Sequence, residues 1–386
     1  MEKENSILDK IIQSKQTQDA YRFNPLEVVS HILNNLSFKE REVIKRRFSL
    51  DGQEKQTLEE IGKLHNITRE RIRQIQSAAV RKIKDLKSIK DQIDGIAGTV
   101  KKVLSDFGGI MEESHFLDEL LAYSDNNPED RRATLFIVSQ LLEDHIEKIK
   151  SSDMLLDGWK LKVLSLDLAH EIIGVLEGLI EKEKKLLRLE DLSAMFKGHE
   201  YFEKNNDRIN TLLSTTLTDS TLDDEKILKL LYSYLKISNN INKNILDEWG
   251  MSHWSEVTPK RMGDKVYLIL KKVKKPMHFT EITKTINDEK FDKKIAYPAT
   301  IHNELILDDR FVLVGRGIYA LKEWGYRTGT VSDVIKDILV ASGKAITKDQ
   351  IVDEVLKKRF VKKSTIYLAL TNKNLFKKAG NTYTLA

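Results

Sequence analysis

Between Arg69 and Gln74 the chain places three arginines, a glutamate and a glutamine within six positions, RERIRQ. These side chains carry the hydrogen-bonding groups that match the edges of base pairs. Arginine donates two parallel hydrogen bonds to guanine, glutamine pairs with adenine as donor and acceptor at once, and glutamate accepts from the amino group of cytosine. A helix face that meets only water needs no such set. The same stretch keeps Ile67, Ile72 and Ile75 at helical spacing, so Arg69, Glu70, Arg73 and Gln74 fall on the opposite face. The implied chemistry is recognition of double-stranded DNA. It requires an element that holds one helix face outward in a fixed pose.

A helix-turn-helix numbered from Leu58 supplies that element. Its fifth position is Gly62, where two helices cross and only a small residue fits, and its ninth is Asn66, a turn position that favours left-handed backbone. Thr57 caps the first helix with Glu60 completing a capping box, and Thr68 caps the second. Both caps sit where backbone N–H groups can meet phosphates. The N-terminal part of the second helix is the part that enters the major groove. Arg81, Lys82, Lys84 and Lys87 continue a basic helix past it. Upstream, Pro25 opens a helix through Leu26, Val29, Ile32 and Leu33. A second, with the Ser37/Glu40 capping box, runs through Val43, Ile44 and Phe48 and breaks at Ser49–Gly52. An ordinary amphipathic pair stitched by contacts such as Glu70 with Arg73 is the plainer reading. It explains none of the small residue, the turn residue and the caps together.

The 386 residues are 40% hydrophobic and 32% charged, and none is cysteine. That excludes disulfides and thiolate zinc sites and suits a reducing cytoplasm. No apolar run nears the roughly 18 residues a bilayer span needs, and the charged N-terminus lacks the pattern of a secretory signal. The net charge of +5 conceals a division. Residues 37–90 carry 15 Lys and Arg against 8 Asp and Glu, residues 260–386 carry 26 against 14, and residues 91–259 carry 19 against 32. Two basic ends flanking an acidic middle point to nucleic acid, whose condensed counterions basic segments release.

No phosphate-binding loop, dinucleotide fingerprint or metalloprotease motif is present, and the histidines are scattered, so no cofactor, metal, catalytic residue or small-molecule substrate is expected. Asp224-Glu225-Lys226 has the form of a nuclease metal triplet. It opens ILKLLYSYLK, which has helical spacing, and acidic residues are ordinary in a first helical turn. Trp249, Trp254 and Trp324 read as core residues before they read as stacking platforms.

The fold expected is mainly α: an arm at 1–24, a helix-turn-helix unit at 25–90, an acidic helical middle at 91–259, and two winged helices with β-hairpin wings at 260–327 and 328–386. Loops are expected at 124–130 and 198–206 in the middle region. An internal repeat carries the C-terminal pair. KPMHFTEITKTI (275–286) aligns with KAITKDQIVDEV (344–355), TIHNEL (300–305) with TIYLAL (365–370), and VGRGIYAL (314–321) with AGNTYTL (379–385). FVLVGRGIYAL (311–321) reads as a hairpin. A weaker copy, a degenerate winged helix, is expected at 97–161.

The stretch from 28 to 86, VVSHILNNLSFKEREVIKRRF through TRERIRQIQSAAVRKIKDL, resembles region 4 of the sigma-70 family of RNA polymerase sigma factors. The resemblance implies that Arg69, Glu70 and Gln74 read bases of a −35-type promoter element. It places Arg71 and Arg73 on or beside the backbone, Arg41 on a phosphate, and RNA polymerase core as a partner through the flap of its β subunit. Leu64-His65 departs from the usual polar–apolar order before the turn. No aromatic-rich, strand-opening region 2 is found, so the chain is not expected to act as a complete sigma factor. Residues 263–326 resemble a HARE-type winged helix, a module of DNA-associated proteins and of the polymerase delta subunit. By that resemblance Thr300, His302 and Asn303 lie on its recognition-like helix and Arg316 on its wing, with Lys362 and Lys363 at the matching helix of the final repeat.

The function expected is that of a sequence-specific, sigma factor-like regulator of transcription, cytoplasmic and associated with the nucleoid, with no membrane partner. Two rivals are a delta-like polymerase accessory subunit acting by protein contacts and a DNA modification or restriction component.

Overall fold

The computed structural model describes residues 24–122, 124–213 and 224–386, the side chain of Ser88 excepted. The arm expected at 1–24 lies outside the described residues apart from Asn24. The chain forms two units, divided near residues 243–253, and each is described by itself. No helix among the described residues is long and apolar enough to cross a membrane.

The first unit opens with α1 (Pro25–Asn34), whose N-cap Asn24 accepts from the Glu27 amide. Helices α2 (Phe38–Phe48), α3 (Leu58–Leu64) and α4 (Arg69–Asp85) follow. The capping boxes at Ser37/Glu40 and Thr57/Glu60 are both formed. Glu40 and Glu60 lie below the usual carboxylate range, chiefly because they accept backbone hydrogen bonds at their caps. Leu26, expected on the buried stripe of α1, is exposed; the stripe is Val28, Val29, Ile32 and Leu33.

That stripe does not close on the helix-turn-helix alone. It joins Ile44, Ala79 and Ile83 in one apolar cluster with the next segment. There α5 (Lys87–Asp106), β1 (Ile110–Glu112), α6 (Glu113–Leu120), α7 (Pro128–Leu141), β2 (Ile146–Ile149) and β3 (Gly158–Leu161) form an antiparallel sheet of order β1-β3-β2 beneath three helices. Val100, Leu104, Phe136, Ile137 and Trp159 supply its side of the core. Helix, strand, two helices and hairpin is the winged-helix order, in the segment where the degenerate copy was expected.

A further set of similar order, with one helix more, follows. It comprises α8 (Leu166–Glu183), a single bridging residue Leu187, α9 (Leu189–Lys197), α10 (Glu200–Leu213), α11 (Asp224–Ile237) and the short strands β4 (Ile241–Lys243) and β5 (Trp249–Met251). Leu187 pairs with Trp249, as β1 pairs with β3. The loop expected at 198–206 is instead mostly helix α10, bent at Asn205, and the loop expected at 124–130 ends where Asn127 caps α7. The Asp224 triplet opens α11, with Asp224 paired to Lys197 and Glu225 to Lys229 at 2.6 Å. Helix α11 packs on the preceding set. Ser233 Oγ donates to Ile110 O at 2.5 Å and Tyr234 Oη to Gly108 O at 3.0 Å, which fixes the Gly108-Gly109 turn in its positive-φ conformation.

The second unit contains two winged helices. The first comprises α12 (Met262–Val273), β6 (Met277–His278), α13 (Phe279–Glu289), α14 (Pro298–Leu307), β7 (Phe311–Gly315) and β8 (Ile318–Leu321). The second comprises α15 (Val331–Ser342), β9 (Ile346–Thr347), α16 (Lys348–Lys358), α17 (Lys363–Leu370), β10 (Phe376–Ala379) and β11 (Thr382–Leu385). Both sheets put the last strand in the middle, β6-β8-β7 and β10-β11-β9. Helices α12 and α15, and α13 and α16, keep the 69-residue offset read from the sequence, and His278 and Thr347 are matching N-caps. Each repeat has its own core, around Val266, Ile269 and Ile282 in one and Ile335, Ile351 and Ile366 in the other.

The two repeats dock through Arg359, which is 5% exposed. Its guanidinium donates to the carbonyl of Leu313 on β7, to Arg327 O at 2.9 Å and to Gly329 O at 2.7 Å. Beside it the Phe360 amide donates to Val314 O at 2.8 Å, and Gly315 bridges Phe360 so closely that a Cβ there would strike the Phe360 carbonyl. Burial pushes the Arg359 guanidinium down from its ordinary value.

Candidate nucleic-acid interface

Gly62 and Asn66 set the pose of α4. A Cβ on Gly62 would lie 2.7 Å from the backbone oxygen of Ile67, so glycine is needed where α3 meets the turn. Asn66 takes φ +54°, and the Ile67 amide donates back to Gly62 O at 3.0 Å. Ile72 is fully buried against Val43 and Ile61, with Leu58, Ile67 and Ile75 packed around them. This small cluster anchors one side of α4 and leaves Arg69, Glu70, Arg71, Arg73 and Gln74 exposed on the others. The Thr68 hydroxyl accepts from the Arg71 amide at 3.2 Å, and the Thr57 hydroxyl accepts from the Glu60 amide at 3.2 Å.

The exposed side chains are paired with one another. Arg73 donates to both carboxylate oxygens of Glu70, at 2.9 and 2.7 Å, and Arg71 donates to Gln74 Oε1 at 3.0 Å. The Arg73 hydrogen bond holds Glu70 below the usual carboxylate range and raises Arg73 above its own. Glu70 therefore stays charged at neutral pH. The plainer contact considered from sequence is present, on the face that also carries the recognition set. Such an exposed pair contributes little to stability because solvent screens it, so DNA can exchange it at small cost.

The remaining residues divide. Arg81 is exposed and makes no ion pair among the described residues. Lys84 is bound to Glu143 at 2.5 Å and is only a quarter exposed. Arg41 is turned inward: its Nε donates to Leu33 O at 2.9 Å and its Nη2 to Leu36 O at 3.3 Å, closing the C-terminus of α1. That is a structural use, where the resemblance had implied a phosphate contact. His65, next to the turn, is half-buried beside Glu42 at 3.5 Å.

In the second unit Thr300 and Asn303 are exposed on α14, and Arg316 is exposed between β7 and β8. His302 is half-buried, with ring centroids 4.8 Å from Phe279 and 6.0 Å from Tyr319, so much of its surface serves the core. Lys362 caps α17 and Lys363 begins it, both exposed. Helix α14 contains no Lys or Arg, and it exposes Ile306 and Leu307. Sequence reasoning missed that apolar face, although the ELIL run of 304–307 carried the signal.

Among the described residues no three acidic or histidine side chains converge to hold a metal ion. Comparison with known proteins finds two matching domains. Residues 32–85 match the model of sigma-70 region 4, and residues 263–324 match that of HARE-HTH, a helix-turn-helix domain of ASXL proteins and restriction endonucleases. The RNA polymerase sigma factor SigA of Clostridium acetobutylicum is 42% identical over 100 residues, 24% of this chain and 26% of that protein. SigA of Nostoc is 43% identical over 84 residues, covering 21% and 22%, and SigA1 of Synechococcus elongatus 50% over 58 residues, covering 15% and 14%. The chain thus spans about a quarter or less of the length of these relatives. The protein joins a domain similar to sigma-70 region 4, with α4 as its exposed helix, to one similar to the HARE-HTH winged helix.

Proposed function

We propose that this protein regulates transcription by reading a promoter-like DNA element through α4 and engaging RNA polymerase. One observation carries the reading: Gly62, Asn66 and the Ile72 cluster hold α4 so that Arg69, Glu70, Arg73 and Gln74 share an exposed surface. Arg71 and Arg81 supply backbone charge beside it. The mechanism is affinity and recruitment, with no covalent step. Both matched modules are DNA-binding types, and the triplet that suggested a nuclease is part of helix α11. The location that fits is the cytoplasm, on the nucleoid.

Gln74→Ala is expected to relax preference at one base pair and cost about 1–3 kcal/mol on the preferred site. Selection from a randomised duplex pool, followed by anisotropy titration of the winning site and its single-base variants, measures both. Unchanged preference at every position would remove Gln74 from the readout.

Salt dependence separates the basic residues. Arg81→Ala is expected to flatten the plot of log affinity against log salt by about 0.9, one phosphate contact. Lys84→Ala should leave the slope unchanged, because Glu143 already holds that ammonium. Equal loss in both would mean that the Lys84–Glu143 pair opens on DNA.

A second reading has its own observation. The surface of α14, which lacks any cation and exposes Ile306 and Leu307, suits protein contact better than phosphate contact. On that reading the HARE module binds polymerase, and α4 alone carries sequence preference. Ile306→Asp with Leu307→Asp would then abolish co-elution with core polymerase and leave promoter affinity intact.

A further inference from the structure

Within the first unit a pocket of about 540 Å3 opens between α2, α7 and the β2–β3 hairpin. Its size is that of a small-molecule site. Three features distinguish it from an ordinary crevice. Arg47, Lys55, Arg132 and Lys148 line it, against the single carboxylate of Glu113, which Lys148 already holds at 2.8 Å. Two hydrogen-bond donors on its wall, the Trp159 indole N–H and Arg132 Nε, are shielded from solvent and have no acceptor among the described residues; Trp159 is 3% exposed. Its apolar lining is mostly aromatic, with the rings of Phe48 and Phe136 tilted by 58° at 5.0 Å between centroids and Trp159 beneath Lys148. Buried donors call for acceptors, surplus cations call for an anion, and aromatic faces call for a flat ring.

We propose that this pocket binds a nucleotide, its phosphates held by Arg47, Lys55 and Arg132 and its base lying against the half-buried ring of Phe48. The contacts come from the helix-turn-helix on one side and the following winged-helix set on the other. Gln76 of α4 lines the same pocket, two residues beyond Gln74. Occupancy therefore acts on the helix that faces DNA, and any effect of nucleotide on DNA affinity must be matched by the reverse effect.

The test titrates the full chain with ATP and GTP by calorimetry, and with pyrophosphate, adenosine and a short nonspecific duplex as comparison probes. One nucleotide should bind at a single site at micromolar concentration, with pyrophosphate and adenosine each at least tenfold weaker. Trp159→Phe, which keeps the ring face and removes the donor, and Arg132→Ala should each weaken it at least tenfold. Lys55→Ala changes an exposed loop residue that can be lost without unfolding, and it should weaken binding several-fold. Absence of binding at millimolar nucleotide would overturn the proposal. So would pyrophosphate binding as tightly as nucleotide, which would make this a general anion site. Displacement by the duplex, with the variants weakening duplex binding only, would assign the pocket to a DNA backbone phosphate and overturn it as well.

Discussion

Gly62→Ala is expected to lower DNA affinity at least tenfold and to loosen α3 and α4 without disturbing the C-terminal unit. The added methyl would meet the Ile67 carbonyl oxygen at 2.7 Å, and that atom is backbone, so the turn itself must move. Overpacking of this kind costs about 1–3 kcal/mol. Here the strain falls on the Ile67-to-Gly62 hydrogen bond that fixes the angle between the helices. Anisotropy with a labelled duplex reads the affinity, and amide exchange over 58–75 reads the loosening. Gly98→Ala is the control. It lies within α5 with nothing within 4 Å of the added carbon, and in a helix interior the change should be neutral or stabilising by up to about 1 kcal/mol. If both substitutions behave alike, Gly62 is not the constraint described.

Arg359→Ala is expected to separate the two C-terminal winged helices. The wild-type guanidinium serves carbonyls of Leu313, Arg327 and Gly329, and hydrogen bonds to a charged group are worth about 1.5–3 kcal/mol each when partners are left unsatisfied. A loss of about 2–4 kcal/mol, the upper range for single substitutions, should leave each repeat folded around its own core while exchange at 311–330 and 359–361 accelerates about 30-fold or more. Arg359→Lys should not restore protection, since one ammonium cannot reach three divergent carbonyls in the manner of a planar guanidinium. Unchanged exchange would show that Gly315 and Phe360 hold the repeats together unaided.

What the sequence revealed follows the range over which each cause acts. The capping boxes, Gly62, Asn66 and the 69-residue offset are set within a few residues or by repetition, and each was readable. The uses of Arg41 and Lys84 were not, because Leu33, Leu36 and Glu143 are brought to them only by packing. His302 was placed on the recognition-like helix without sight of Phe279 and Tyr319 beside it. The winged-helix order of 166–251 escaped notice for a different reason. Its first strand is the single residue Leu187, its hairpin strands are three residues long, and α10 interrupts the expected spacing.

The winged-helix sets share a topology, yet their charges differ. The acidic middle offers phosphate little outside the α2–α7 pocket, whereas α4 and the C-terminal repeats carry the cationic surplus.

The central claim is that α4 brings this protein to promoters. Crosslinking of the full chain to the chromosome of its source cell, mapped at base resolution beside a polymerase track, tests it most directly when wild type and Gln74→Ala are compared. The account predicts sharp wild-type peaks over a shared element at a fixed distance upstream of transcription starts, coincident with polymerase and redistributed in the variant. Peaks that follow polymerase along genes with no shared element, and that Gln74→Ala leaves in place, would contradict it.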